Sequence, residues 1–136
     1  MDRTAPESRH LSTHVDRPAE EVYAYASDPT HLPEWAAGLG SSIRRADGGR
    51  WTVESPMGRL LVTFTPRNEF GVLDHDVTLP SGETVSNPVR VIADGAGCEV
   101  VFTLRRRPGM SEEDFRRDAD AVSADLATLK RLVERA

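Results

Sequence analysis

Residues 111–135 carry the strongest constraint on the fold, an apolar stripe at helical spacing. Ser111 and the three acidic residues after it are typical of a helix start. The apolar side chains that follow recur at alternating intervals of four and three, which places them on one helical face: Phe115, Ala119, Val122, Leu126, Leu129 and Val133. A helix of this length must bury such a stripe against another part of the chain.

The preceding residues predict two short helices and a series of strands. Residues 8–15 predict the first strand, and Pro18 opens a helix over 18–26. Asp28 caps a second short helix that ends near Gly38. Six further strands are separated by turns rich in glycine and proline, and we expect them at 42–46, 50–55, 59–65, 72–79, 84–93 and 98–106.

This order, β-α-α-β6-α, predicts one α+β domain over residues 1–136. We expect a curved antiparallel sheet of about seven strands wrapped around the long C-terminal helix. Because a strongly bent sheet is not filled by one helix, we also expect an internal cavity between the two.

The turn at residues 79–83 sets which side chains face inward. Pro80 and Gly82 are typical of a three-residue hairpin loop, which pairs Leu79 with Glu83. A two-residue loop would instead turn His75 toward Pro88. The first register is favoured because it gathers apolar residues on one sheet face, continued by the last strand: Leu73, Val77, Val85, Val89, Val91, Val100, Phe102 and Leu104.

His75 and Asn87 are the two polar side chains that this register directs into the apolar interior. A buried polar group costs about 1–3 kcal/mol without a partner, so the two side chains either bond each other or await a ligand. A lone inward histidine is often purely structural. The alternative is that His75 exchanges a proton with a ligand and Asn87 orients it.

The charge balance argues against a nucleic-acid partner. The net charge is −5, whereas phosphate binding needs an excess of Lys and Arg on one face. Residues 105–107, three consecutive arginines, are the local exception. We expect a solvated strand end that closes against Glu112 and Glu113, with an anion site as the alternative.

Several other classes of site and location are disfavoured by the residues present. Cys98 is the only cysteine, so a disulfide within the chain is excluded and a reducing, cytoplasmic location is expected. No apolar run approaches a membrane span. His10 and His14 lie roughly 13 Å apart on a strand, too far to share a metal. No metal and no cofactor are therefore expected, because the motifs that hold nucleotides or metals are missing as well.

The N-terminal region resembles the opening of START/SRPBCC-superfamily proteins. The residues that carry the resemblance are Val15 to Tyr25, with Pro18, Glu20 and Val22 at the matching positions, followed by Asp28-Pro29 and Leu32-Pro33-Glu34-Trp35. The strand-rich middle and the long final helix extend it over nearly the whole chain. It implies a helix-grip fold and similarity to small bacterial, polyketide cyclase-like members, in a superfamily that includes polyketide aromatases and cyclases, lipid carriers and hormone receptors.

Three functions are open from the sequence. The first is binding of a small, largely apolar molecule, such as a polyketide, lipid or aromatic metabolite, in the internal cavity. The second is a cofactor-independent cyclase or aromatase with His75 and Asn87 as catalytic residues. The third is a protein-interaction domain, and a homodimer is possible in each case. The expected ligand-contacting residues are Trp35, Val62, Phe64, Leu73, His75, Val77, Asn87, Val89, Val91, Phe102, Val122 and Leu126.

Overall fold

The computed structural model describes residues 7–36, 42–56 and 58–135. The strands in these ranges are β1 (Ser8–Val15), β2 (Ser42–Arg45), β3 (Arg50–Ser55), β4 (Gly58–Phe64), β5 (His75–Thr78), β6 (Thr84–Asn87), β7 (Val89–Asp94) and β8 (Gly97–Arg105). The helices are α1 (Ala19–Ala26), α2 (Leu32–Trp35) and α3 (Glu112–Arg135), and a 3₁₀ turn, Pro29–His31, leads into α2.

All strand pairs are antiparallel and form two hydrogen-bonded sheets in the described residues. One sheet has the order β1-β8-β7 and the other the order β2-β3-β4-β5-β6. Backbone bonds join them, because Leu73 N–H donates to Val89 O at 2.8 Å and Thr103 N–H donates to Pro88 O at 2.9 Å. The result is the curved antiparallel sheet that the sequence predicts.

The observed strands differ from the predicted ones in two places, and proline chemistry explains the first. Pro88 divides the predicted strand 84–93 into β6 and β7, since proline has no N–H for a sheet ladder. The described residues therefore contain eight strands where about seven were expected. The predicted strand 72–79 is also wrong in length, because regular pairing covers only His75–Thr78.

The hairpin register is confirmed. Leu79 N–H donates to Glu83 O at 2.8 Å, and His75 pairs with Asn87 across β5 and β6. The same register continues past Pro88, where Val91 N–H donates to the Gly71 carbonyl at 2.9 Å. The segment before β5 is thereby tied to β7.

The stripe of α3 is buried against the first sheet. Phe115 and Leu129 are fully buried, and the helix packs mainly on β1, with further contacts to β8 and to α2. Leu104 of β8 forms a cluster with Phe115 and Ala119 at the start of the helix. Burial of each large apolar side chain in this stripe contributes about 1.5–3 kcal/mol. None of the helices in the described ranges has the length and apolar character that a bilayer crossing needs.

The two short helices begin close to their predicted positions. Pro18 is the residue before α1 rather than a residue of its first turn, with an extended ψ of 144°. Asp28 caps the 3₁₀ turn as expected, since its carboxylate accepts a hydrogen bond from Thr30 N–H at 3.0 Å. The predicted end of the second helix near Gly38 lies outside the described residues.

The arginine run does not close against Glu112 and Glu113, so that prediction is wrong. Arg106 pairs with Glu7 at 3.1 Å, and Arg107 pairs with Glu83 at 3.2 Å. Both partners are brought in by the sheet, one from the residue before β1 and the other from the β5–β6 turn. The sequence separation of these pairs hid them from local pattern reasoning.

Candidate functional site

A small cavity of about 130 Å³ lies between the α1–α2 corner and the inner face of the sheet. Its wall is mostly apolar or aromatic and comes from α1, α2, β4, β5, β7 and the segments that follow β4: Tyr23, Ala26, Ser27, Leu32, Trp35, Phe64, Thr65, Arg67, Leu73, His75 and Val89. The sequence predicted the cavity against the C-terminal helix. None of the described residues that line this cavity belongs to α3, which packs mainly on β1 with further contacts to α2 and β8.

The α1–α2 corner that roofs the cavity is fixed by polar contacts on its outer side. The Tyr25 hydroxyl donates a hydrogen bond to the Glu34 carboxylate. Burial, and then this bond, raise the pKa of Tyr25 to about 12, so the phenol keeps its proton. His31 Nδ1 donates to the Tyr25 carbonyl at 2.8 Å, and the two rings stack with centroids 4.2 Å apart.

Trp35, in the cavity wall, carries a buried hydrogen-bond donor that has no partner among the described residues. The side chain is only 9% exposed, and its indole N–H is buried with no hydrogen-bond partner in the described part of the chain. An unpaired buried donor costs about 1–3 kcal/mol, and native proteins rarely leave one. Trp35 therefore contributes to the wall a side chain whose buried donor has no partner among the described residues.

His75 projects from the first residue of β5 into the same cavity. Its half-buried ring lies beside Phe64, 5.7 Å between centroids, and meets the edge of Phe102 at 6.4 Å. The Leu73 carbonyl, 3.2 Å from Nδ1, only accepts hydrogen bonds, so Nδ1 carries the proton of the neutral ring. Nε2 has no partner among the described residues and presents a lone pair.

The protonation of His75 is set mainly by burial. Burial lowers the pKa of the imidazole below its ordinary 6.5. The Leu73 carbonyl and the charges of Asp74 and Asp76 favour the charged form and offset part of this effect. Asp74 is itself engaged elsewhere, because it accepts two hydrogen bonds from Arg90, which hold its pKa below the ordinary value. His75 is therefore a neutral base at pH 7.

The loop after β4 is organised by one asparagine. The Asn68 side chain accepts from Phe70 N–H and Val72 N–H at 2.9 and 3.1 Å, and donates to the carbonyls of Pro66 and Val72 at 3.0 Å each. Its backbone N–H donates to the Tyr23 hydroxyl at 2.9 Å. These bonds hold the loop against α1 at the edge of the cavity.

Five of the twelve predicted ligand contacts line this cavity, and they come from four different parts of the chain: Trp35, Phe64, Leu73, His75 and Val89. Val62 and Val77 belong to a separate buried cluster with Val53 and Leu60. Val91, Phe102, Val122 and Leu126 pack in the main core. Whether any of the twelve contacts a ligand stays a prediction.

Asn87 faces His75 in the strand register but does not bond to it. Its half-buried side chain has no hydrogen bond within the described ranges, and it lies outside the cavity wall. Two wall residues that the sequence analysis did not predict, Tyr23 and Leu32, belong to the N-terminal motif. That motif could have identified them as candidate wall residues. Thr65 and Arg67 follow β4 in a loop that carries no periodic pattern.

A second concavity, an open groove of about 450 Å³, lies between the β5–β6 turn and the start of α3. Charged side chains dominate its wall, and four of them form ion pairs: Arg107 with Glu83 at 3.2 Å, and Arg117 with Asp114 at 3.3 Å. It is larger than the cavity under α1 and α2 but lacks an unpaired buried donor in the described residues. The described chain also holds no cluster of three or more His, Cys, Asp or Glu side chains placed for a metal ion.

Comparisons with solved structures find the same fold over nearly the whole chain. XoxI from Bacillus cereus is 14% identical with a TM-score of 0.73, covering 93% of this chain and 94% of that one. Ara h 8.0201 is 12% identical with a TM-score of 0.71, covering 97% and 100%. A point mutant of norcoclaurine synthase from Thalictrum flavum, solved with a transition-state analogue, is 17% identical with a TM-score of 0.65, covering 99% and 98%. At these identities the likeness shows the fold alone.

Comparison with protein families gives a match over residues 8–134, to the family described as polyketide cyclase/dehydrase and lipid transport. No curated protein sequence matches the chain. The family match spans every strand and nearly all of α3. The chain therefore belongs to the polyketide cyclase/dehydrase and lipid transport family, within the START/SRPBCC superfamily whose helix-grip fold its sequence predicted.

Proposed function

We propose that the protein binds a small, largely apolar molecule in the cavity under α1 and α2. Family membership supports a ligand-binding or cyclase-type role. The observation that carries the finer proposal is the unpaired indole N–H of Trp35, buried in a wall of apolar and aromatic side chains. Ligand pockets have this composition, an apolar lining with a few polar groups that fix orientation.

The cavity volume limits what fits without movement. About 130 Å³ is close to the roughly 150 Å³ of a cavity known to accept benzene, and below the roughly 300–1,000 Å³ of drug-sized pockets. One ring with a small substituent fills the space. A polyketide or a long fatty acid would require the α1–α2 corner to move away from the sheet, so such ligands should bind more slowly than single-ring compounds.

Native mass spectrometry of freshly purified protein, followed by a thermal-shift screen, tests the proposal. The screen contains single-ring aromatic compounds, terpenoids, fatty acids and aromatic polyketides. A ligand that binds the folded state raises the melting temperature in proportion to the logarithm of its concentration once it exceeds Kd. A saturable shift or a co-purified mass supports binding, and the absence of both across all four classes contradicts it.

The second candidate is a cyclase or aromatase type of enzyme with His75 as the acid or base. The observation that favours it is the state of the imidazole, which is neutral, oriented by the Leu73 carbonyl and free at Nε2. A base of this kind accepts a proton from a bound ring or chain, and once charged it returns the proton elsewhere on the same molecule. Asn87, across the ladder from His75, is retained as a candidate orienting residue.

We also propose that residues 1–136 act as one domain and that the protein is cytoplasmic. The support for the location is Cys98, which is fully buried in the core as a free thiol. Burial raises the pKa of this thiol, which keeps it protonated and unreactive. Size-exclusion chromatography with light scattering distinguishes a monomer from the possible homodimer.

A further inference from the structure

The cavity wall contains more free hydrogen-bond donors than acceptors. The Thr65 hydroxyl donates to Asp74 O at 2.6 Å, and the Ser27 hydroxyl donates to Ala24 O at 3.5 Å, so both protons are used within the protein. The Trp35 N–H is unpaired. The Tyr23 oxygen accepts from a backbone N–H, which leaves its own O–H proton available.

Among the described residues that line the cavity, Arg67 is the only charged side chain, and none is a carboxylate. Its guanidinium lies 5.6 Å from the centre of the Tyr23 ring, and it forms no ion pair with an acidic side chain among the residues described. The Asn68 hydrogen bonds fix the loop that carries it. A positive group is thus held at the cavity in a protein whose net charge is −5.

The strongest free acceptor among the described side chains of the wall is Nε2 of His75. Among the described wall residues, the Trp35 N–H, the Tyr23 O–H and the Arg67 guanidinium are free donors, and the guanidinium is permanently charged. A hydrocarbon would leave the Trp35 N–H and the Nε2 atom of His75 unpaired, and a cation would be repelled by Arg67. An anion with planar oxygen atoms matches a guanidinium fork and an indole N–H together.

We propose that the ligand is a small carboxylate with a single ring. The ring lies against the aromatic wall of Trp35 and Phe64, and the carboxylate faces Arg67. This inference rests on the proposed binding function and narrows it to a chemical class. Because Arg67 is exposed, its contribution is screened by salt, and we expect it to change affinity by about fivefold at low ionic strength.

Tryptophan fluorescence measures the affinity of candidate ligands directly, since Trp35 and Trp51 are the only two tryptophans. Trp51→Phe removes the tryptophan that does not line the cavity and makes Trp35 the sole reporter. The probes are benzoate, benzyl alcohol and toluene, which have the same ring and differ in charge and hydrogen bonding. We expect benzoate to bind about fivefold more tightly than benzyl alcohol, and the difference to shrink in 0.5 M NaCl.

Arg67→Gln, introduced into the Trp51→Phe protein, separates the effect of the Arg67 charge from the fit of the ring in the cavity. We expect benzoate affinity to fall to that of benzyl alcohol, with toluene binding unchanged. Arg116→Gln, an exposed position on α3, is the matched control and should keep the preference for benzoate. If the neutral probes bind and benzoate is not preferred, or if the preference survives Arg67→Gln, the carboxylate inference is overturned and the binding function stands. If no probe binds, this inference is overturned, and the wider thermal-shift screen decides the binding function separately.

Discussion

His75 lies directly across the β5–β6 ladder from Asn87, yet its imidazole donates to the backbone carbonyl of Leu73 at 3.2 Å. The two polar side chains that the sequence places together therefore do not satisfy each other. The consequence is chemical. The carbonyl fixes the tautomer of His75 and leaves Nε2 free, in the wall of a cavity that also holds the unpaired Trp35 N–H.

The first prediction concerns how the free energy of unfolding depends on pH. Burial places the folded pKa of His75 below 6.5, so between that value and pH 6.5 the unfolded chain binds more protons than the folded one. The contribution of His75 is complete above pH 6.5 and is lost as the pH falls through the folded pKa. Each unit of difference between the two values is worth about 1.4 kcal/mol.

Urea unfolding of the wild type and of His75→Gln at pH 5.5 and pH 7.5 measures this effect. We expect the wild type to lose more stability on acidification than the variant does, because all other titrating groups are common to both. Equal losses in the two proteins would show that the imidazole is not kept neutral by its surroundings. The NMR titration of the His75 ring gives the folded pKa independently.

The second prediction separates binding from catalysis at His75. If the protein only binds its ligand, His75→Gln should change the affinity by no more than about 1–2 kcal/mol, the worth of one hydrogen bond. If it is a cyclase or aromatase, turnover should fall by about two to four orders of magnitude while the melting temperature is retained. Turnover that survives the substitution would remove His75 from the catalytic role.

The third prediction concerns Asn68, whose side chain forms four hydrogen bonds within its loop. Asn68→Ala should lower the free energy of unfolding by about 2–4 kcal/mol, at about 1 kcal/mol for each bond. Asn68→Asp keeps the oxygen that accepts from Phe70 and Val72 and should lose about half as much. Equal losses in the two variants would mean that the acceptor side of the asparagine does not hold the loop.

The fourth prediction concerns the close approach of Gly71 to β7. Its φ is +72°, and a Cβ atom there would lie 2.3 Å from the Val91 carbonyl oxygen. Gly71→Ala should therefore cost several kcal/mol or prevent folding, since both backbone strain and a clash arise. Gly95 has a φ of +62° but open space around its Cβ position, so Gly95→Ala should cost only about 1 kcal/mol.

The fifth prediction is that Trp35→Phe removes the free-energy cost of an unpaired N–H in the protein without ligand. Loss of the buried N–H relieves part of its penalty of about 1–3 kcal/mol, which offsets the smaller ring. We expect stability without ligand within about 1 kcal/mol of the wild type, and weaker binding of any ligand that carries an oxygen acceptor. A large loss of stability would show that the indole N–H has a partner within the protein.

Local chemistry made much of the fold predictable from sequence. The turn residues Pro80 and Gly82 fix a register in which alternation assigns the inner face, so the pairing of His75 with Asn87 was predictable. The spacing of apolar residues in α3 likewise predicted which side of the helix is buried. Apolar alternation runs through Pro88 and predicts one strand there, but proline ends the ladder of β6.

The position of the cavity depends on contacts that sequence patterns do not encode. Tyr23 meets the loop through a hydrogen bond to Asn68, 45 residues further along the chain. Arg67 lines the cavity only because this loop folds back on α1. The Nδ1 bond of His75 to Leu73 depends on a side-chain rotamer, which strand periodicity leaves open. For these reasons the inner face was predictable and the cavity wall was not.

The central claim is that the Trp35 N–H awaits a ligand acceptor, and its own NMR signal reports this most directly. In Trp51→Phe only one indole N–H resonance remains. Titration with benzoate, and with the compound that stabilises the protein most in the thermal-shift screen, should move this resonance downfield in a saturable way as the hydrogen bond forms. A resonance that stays in place, while the same compounds raise the melting temperature, would show that they bind elsewhere and would contradict the account.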